Sequence, residues 1–187
     1  MCTIAMVGAA GVILCLYVDD ILIFGMNIDV INDVKSKSSN IKDLGEADVI
    51  PNIKLIKGEN EITLSQSHYV ENILSRFGNV NSQPSPTPYD LSVILRKNKK
   101  IAKDQLRYSQ IIGSLMYLPS ATRPDISFAV SKLSRFMSNP GTNHWHALEM
   151  VMRYLVGTMS YLIPYFRHPA VLEGYSDSSW ISDADEL

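Results

Sequence analysis

In the stretch LCLYVDDILIFG, residues 14–25, two adjacent carboxylates, Asp19 and Asp20, interrupt an apolar, β-favouring run. Two chemistries account for acids in such a place. Aspartate is common in tight turns, where its side chain bonds nearby backbone N–H groups. Alternatively, the pair holds a divalent cation. Mg²⁺ prefers hard oxygen donors and keeps several waters, so a few carboxylates fixed on a stiff hairpin suffice. Two such ions, roughly 3.5–4 Å apart, would activate an attacking hydroxyl and steady a leaving phosphate. The flanking Leu16, Val18, Ile21 and Ile23 would anchor the hairpin in a core.

Other chemistry-bearing residues are fewer. Arg96, Lys97, Lys99, Lys100, Lys103 and Arg107 form the one dense basic cluster, diluted by Asp104. It reads either as a contact to a nucleic-acid backbone or as a solvated linker. Arg123, Lys132, Arg135 and Arg153 fall on expected helices and could face a duplex or simply water. His144 and His146 are two apart, which on a helix points them to different sides, so they do not share an ion; Trp145 between them is expected in the core. No Ser-His-Asp or Cys-His arrangement, phosphate loop or dinucleotide fingerprint is present.

The elements that must position these groups follow from periodicity. Residues 12–17 and 21–24 predict two strands joined by a tight turn. Asn27 begins a short helix with Ile28, Ile31 and Val34 at helical spacing. Residues 46–56 and 61–66 predict strands around a turn at Gly58-Glu59-Asn60, with Pro51 awkward inside the first because it cannot donate to a ladder. Residues 67–77 predict an amphipathic helix ended by Gly78. NSQPSPTP (81–88) and RKNKK (96–100) make residues 79–103 linker-like, with a hinge near the prolines. Three helices are expected next: 105–118; 122–137, with Thr122 as cap, Pro124 in the first turn and Asp125 near the positive end of the dipole; and 142–157. SYLIPYF and VLEGYSD predict closing strands. Strands first and helices later make the fold class α+β.

Bulk properties exclude little. With 187 residues, 46% of them hydrophobic, the chain is globular in type. A net charge of −2 argues against wholesale coating of nucleic acid but not against a local basic track. Cys2 and Cys15 have no metal-ligand spacing, and a reducing compartment is the default. Residues 1–18 carry no charge and approach the length of a membrane span. They read as a buried strand with a leader, a membrane anchor being the alternative, because no basic segment precedes them and Gly8-Ala9-Ala10-Gly11 weakens the middle.

Tyr17-Val18-Asp19-Asp20 between apolar strands resembles the YVDD box of reverse transcriptases. Further segments, IKDLGEADVI (41–50), LSQSHYVENILSRFG (64–78), SPTPYD (85–90), IIGSLMYL (111–118), TRPDISFAVSKLSRFMSNP (122–140), HWHALEMVMRYLVGT (144–158) and LEGYSDSSWISD (172–183), are similar in order and spacing to landmarks of the Pol polyprotein of copia-type LTR retrotransposons. The resemblance implies the C-terminal part of a polymerase palm in residues 1–90, a helical thumb and connection in 91–160, and the first strands of an RNase H-like domain in 161–187. It makes Asp19 and Asp20 palm metal ligands, sets Tyr17 and Val18 under the primer end, and makes Asp177 the first metal-binding acid of RNase H. It implies Mg²⁺ as cofactor, and RNA template, DNA primer, RNA–DNA hybrid and dNTP as partners. The basic residues Lys97, Lys99, Lys100, Lys103 and Arg107 would then meet the duplex backbone. The family acts in cytoplasmic particles and in the nucleus.

The chain also departs from that pattern. Sixteen residues precede Tyr17 and none is acidic, so the further palm aspartate is lacking; after Asp177 the chain lasts ten residues. The chain is therefore expected to be a truncated reverse transcriptase fragment, catalytically incomplete alone, with a non-catalytic nucleic-acid-binding remnant as the alternative. Pro51-Asn52 replaces a usual Leu-Gly and puts a proline in a palm strand, the 34–45 segment is short of an apolar pair, and Pro164 is gained. Each such change is expected to cost on the order of 1–3 kcal/mol.

Overall fold

The computed structural model describes residues 2–7, 12–17, 20–37, 42–78 and 81–167. Its contacts divide the chain into two compact units, residues 1–55 and 56–187.

In the first unit, β1 (Cys2–Val7), β2 (Val12–Tyr17) and β3 (Asp20–Phe24) form an antiparallel sheet in that order. The uncharged N-terminal stretch thus supplies two strands, and no helix among the described residues is long and apolar enough to cross a membrane. The helix α1 (Ile28–Ser36) starts where Asn27 accepts the Asp29 N–H at 2.8 Å, the cap its position suggests. Its apolar residues sit on one side, yet none of its side chains is fully buried. Gly25 permits the close approach of Ile31: a Cβ there would lie 3.1 Å from Ile31 Cγ1 and 3.3 Å from Val12 Cγ2. Val12 is the one buried apolar side chain of this unit among the described residues.

Two short strands follow, β4 (Val49–Ile50) and β5 (Ile53–Lys57), the latter running through the division between units. Ile50 pairs with Ile53, so Pro51 and Asn52 form a two-residue turn rather than part of a strand. This corrects the expected penalty. Proline needs no ladder partner at a turn position, and Asn52 takes the positive φ of 61° that asparagine tolerates.

The second unit holds β6 (Glu61–Ser65), α2 (Ser67–Phe77), α3 (Gln105–Leu115), α4 (Ser127–Ser134), α5 (Thr142–Gly157) and β7 (Leu162–Phe166). The turn before β6 is closed by the Gly58 N–H on the Glu61 carbonyl, 2.9 Å. Gly78, at φ 80°, ends α2 as its position implies, its N–H reaching back to the Leu74 and Ser75 carbonyls. The core is a helical cluster: Val70 and Leu74 of α2, Ile112 and Leu115 of α3, Val130 and Leu133 of α4, and Val151 and Leu155 of α5. β7, in the segment read as the start of an RNase H-like domain, pairs antiparallel along its length with β6, Ser65 opposite Leu162 and Glu61 opposite Phe166. It is the last strand in its sheet order, so Pro164 lies on an edge, where a missing N–H is tolerated. Among the described residues the fold is thus mixed, with helices and two small antiparallel sheets.

Several expectations fail in this unit. The helix over 122–137 is a 3₁₀ turn, Pro124–Ile126, followed by α4 alone, and α3 stops at Leu115. Thr122 caps nothing; it is buried and donates to Gln66 Oε1 at 2.7 Å. Arg123 occupies the cap position and faces neither duplex nor water, being 1% exposed. Its Nε and Nη2 bind the Asp125 carboxylate, the shortest contact 2.8 Å, while Nη1 and Nη2 donate to the carbonyl and hydroxyl oxygens of Thr158 past the end of α5. Tyr154 donates to the same carboxylate, and the guanidinium lies over the rings of Tyr154 and Tyr161.

Burial pushes the Asp125 carboxyl up, but the bonds and charge of Arg123, helped by Tyr154, outweigh it and hold the group below its ordinary value. A carboxyl lowered in this way adds stability above the unfolded value, and that stability is lost as pH falls through the folded one. Arg123→Met removes the cationic partner of the partly exposed Asp125 and the donors to Thr158, which should cost about 2 kcal/mol in urea unfolding at neutral pH. The difference between the two proteins should begin to shrink as pH falls below about 4 and close only below the lowered folded value of the unaltered chain, where the carboxyl is protonated in both. An unchanged urea midpoint would contradict this account.

Candidate active site and nucleic-acid interface

The acid doublet is positioned by register. β2 and β3 pair with Ile13 opposite Phe24, Leu14 opposite Ile23, Cys15 opposite Leu22, Leu16 opposite Ile21 and Tyr17 opposite Asp20. Side chains alternate between sheet faces, and directly paired residues share one. Asp20 therefore belongs with Leu22 and Phe24. Ile21 and Ile23 belong with Leu14 and Val12 on the face that meets Ile31 of α1. Asp20 is exposed at the first position of β3, where a carboxylate can offer its oxygens to a hydrated cation. Val18 and Asp19 lie outside the described residues, as does Asp177, and the Tyr17 backbone alone is placed. Among the described residues no group of three His, Cys, Asp or Glu side chains gathers that could hold a metal ion.

The basic segment is better defined than a linker. Residues 81–103 contain no helix or strand, yet they are bonded at several points to the helical core. The Arg153 Nε donates to the Gln83 carbonyl at 2.6 Å, and Leu95 is buried. Asn98 organises the next turn: its Oδ1 accepts the Lys100 N–H at 3.0 Å, its Nδ2 donates to Asn139 Oδ1 at 3.2 Å, and Asn139 Nδ2 donates back to its carbonyl at 2.8 Å. The Lys103 N–H reaches the Pro140 carbonyl at 2.8 Å, and Trp145 Nε1 donates to the Lys103 carbonyl at 2.7 Å. Lys97, Lys99, Lys100 and Lys103 all face solvent. Arg107 is exposed overall but commits one N–H to the Phe77 carbonyl at the C-terminal end of α2, 3.2 Å away, the negative end of that dipole.

His144 closes the same arrangement from α5. Its Nδ1 accepts the Gly141 N–H at 2.8 Å, its Nε2 lies 3.0 Å from the Arg96 carbonyl, and its ring stacks on Phe136 at 4.1 Å between centroids. The ring is 2% exposed, whereas His146 faces solvent, so the two histidines share no site. Trp145 is half-buried, edge-on to Tyr108. The sequence alone gives His144 no task. The signal present was local, Gly141 three residues before a side chain able to accept an N–H at a helix start; the partner at Arg96 is 48 residues away.

Residues 3–91 match the family model of reverse transcriptase, RNA-dependent DNA polymerase. The chain is 38% identical, over 93% of its length, to the retrovirus-related Pol polyprotein from transposon TNT 1-94 of Nicotiana tabacum, and 35% identical, over 96%, to that from transposon RE1 of Arabidopsis thaliana. It spans only 14% and 12% of those two proteins. An uncharacterized mitochondrial protein of Arabidopsis thaliana is 31% identical over 89% of this chain and 71% of its own length. No solved structure matches. The acid-doublet hairpin, the family model that contains it and the relatives that extend the likeness through α5 converge: the chain belongs to the reverse transcriptase family of copia-type retrotransposon Pol polyproteins.

Proposed function

We propose that residues 1–187 are the part of a retrotransposon reverse transcriptase that carries the acid-doublet hairpin of the palm, the helical thumb and connection, and the start of RNase H with Asp177. The register of β2 and β3, which ends in an exposed carboxylate at Asp20, carries this reading. In it, Asp19 and Asp20 hold Mg²⁺, and Tyr17 and Val18 lie beneath the primer end. When bound, the ion supplies charge for the attacking hydroxyl and the leaving phosphate of a dNTP. The protein's own contribution is placement, since strand pairing fixes the backbone position from which the Asp20 carboxylate projects.

The two-metal reaction asks for a further aspartate on another strand. Residues 1–18 hold no acid, and the described residues bring no third ligand to Asp20. On this reading the 187-residue chain by itself does not synthesise DNA. With Mg²⁺, dNTPs and a primed poly(rA) template, no extension is expected. Extension that disappears in Asp19→Asn would overturn the proposal.

A second reading, binding of nucleic acid without catalysis, is favoured by the pinned basic segment. A segment with four exposed lysines, held through backbone bonds at Lys100 and Lys103, suits the phosphates of a template–primer duplex or RNA–DNA hybrid. Binding to a labelled hybrid should weaken with salt, and Lys97→Ala combined with Lys99→Ala and Lys100→Ala should lower the log–log salt slope by about 2–3. No binding at about 50 mM salt, or an unchanged slope in the triple variant, would remove this reading.

A further inference from the structure

The polar contacts of His144 join the first turn of α5 to the basic segment, beside the Trp145 bond to the Lys103 carbonyl. A backbone N–H can only donate, so the Gly141 N–H at 2.8 Å requires Nδ1 to be unprotonated. The proton of the neutral ring therefore sits on Nε2 and is donated to the Arg96 carbonyl. Both ring nitrogens are engaged, and only in the neutral form. A second proton would place an N–H at Nδ1 directly against the Gly141 N–H, inside a site that is almost closed to water.

We propose that His144 is a proton-operated latch on residues 96–103: neutral, it seats that segment against α5; protonated, it lets go and the lysines lose their fixed spacing. The consequence for binding rests on the nucleic-acid reading above; the latch itself does not. Release at Gly141 also loosens Pro140, whose carbonyl accepts the Lys103 N–H, and Asn139, which holds Asn98. One protonation thus reaches the contacts that hold both ends of the lysine series.

The groups around the ring oppose nothing. The basic segment presents Arg96 and Lys97, the turn after α4 presents Arg135 beside the stacked Phe136, and α5 itself carries His146 and Glu149. Of these, Arg96 bonds to the imidazole through its backbone carbonyl and not its guanidinium. Burial pushes the ring below its ordinary value, partly offset by the Arg96 carbonyl. Such a group binds fewer protons folded than unfolded. Its contribution is complete above about pH 6.5 and is lost as pH falls through the folded value.

The test is amide exchange on the full chain between about pH 7.5 and pH 5, corrected for the intrinsic rate, with hybrid binding measured in parallel. Protection of the Gly141 and Lys103 amides should fall about tenfold across this range, while core amides such as Leu133 hold. Hybrid affinity should drop about fivefold. His144→Asn keeps an oxygen for the Gly141 N–H and does not titrate, so it should abolish the pH dependence of Gly141 protection. Constant protection in the unaltered chain, or the same fall in His144→Asn, would overturn the latch. Absent binding at pH 7.5 with the exchange pattern intact would instead remove the nucleic-acid reading and leave the latch standing.

Discussion

The helical unit depends on a buried guanidinium. A charge that cannot be neutralised must, once out of water, meet both a counter-charge and enough acceptors, and Arg123 meets them in two places at once. Asp125 lies two residues ahead in the turn that opens α4, and Thr158 lies past the end of α5. The two helices are therefore held at a definite distance by bonds whose loss would strand a charge. That is a sharper constraint than the apolar packing beside it, where Leu133, Leu148 and Leu155 could slide with small changes of shape. α5 is clamped at its far end by Arg123 and at its near end by His144. The basic segment inherits a fixed position because the helix it is bonded to has one.

Elements coded by neighbouring residues are legible in the sequence, and those fixed by distant partners are not. α2, with Tyr69, Ile73 and Phe77 in step and Gly78 behind them, is written in local code, and so are the Asn27 cap and the β2–β3 pair around an acidic turn. Long-range polar bonds are not written locally. Residues 81–103 look like a linker because prolines and lysines dominate their composition, while the partners that tie them down, Asn139, His144, Trp145 and Arg153, lie far along the chain. Thr122 and Pro124 resembled a cap and a first turn, but the hydroxyl was claimed by Gln66, 56 residues earlier. Pro51 was misjudged for another reason. Pro51 and Asn52 favour turns and interrupt the strand propensity of residues 49–57, and the pairing of Ile50 with Ile53 shows that the chain reverses there.

Arg123 is the plainest case of concealment. A single arginine before Pro-Asp is expected at the surface, since the cost of burial outweighs a lone ion pair. What makes burial acceptable is the convergence of a carboxylate, a carbonyl, a hydroxyl and two tyrosine rings. Of these, Asp125 is two residues away, while Tyr154 and Thr158 are 29 and 35 residues beyond Asp125 and Arg123 respectively.

For the candidate site, the pairing of Tyr17 with Asp20 decides how the acid doublet must be understood. Two neighbours within a strand would point to opposite faces and could not serve one ion. Here Asp20 belongs to the ladder, and the chain between the paired positions consists of Val18 and Asp19. The two acids are thus not equivalent: one is held by strand pairing, and the other belongs to the connection the pairing spans. An acidic pair straddling the end of a ladder is a different device from an acidic pair at a solvent-exposed bend. Leu22 and Phe24 share a face with Asp20, and Ile21 and Ile23 lie opposite, so apolar residues on both sides hold the register. A one-residue slip would exchange the two faces and carry the carboxylate of Asp20 to the side on which α1 packs. The apolar flanks and the acids are therefore one feature, because the first sets where the second can act.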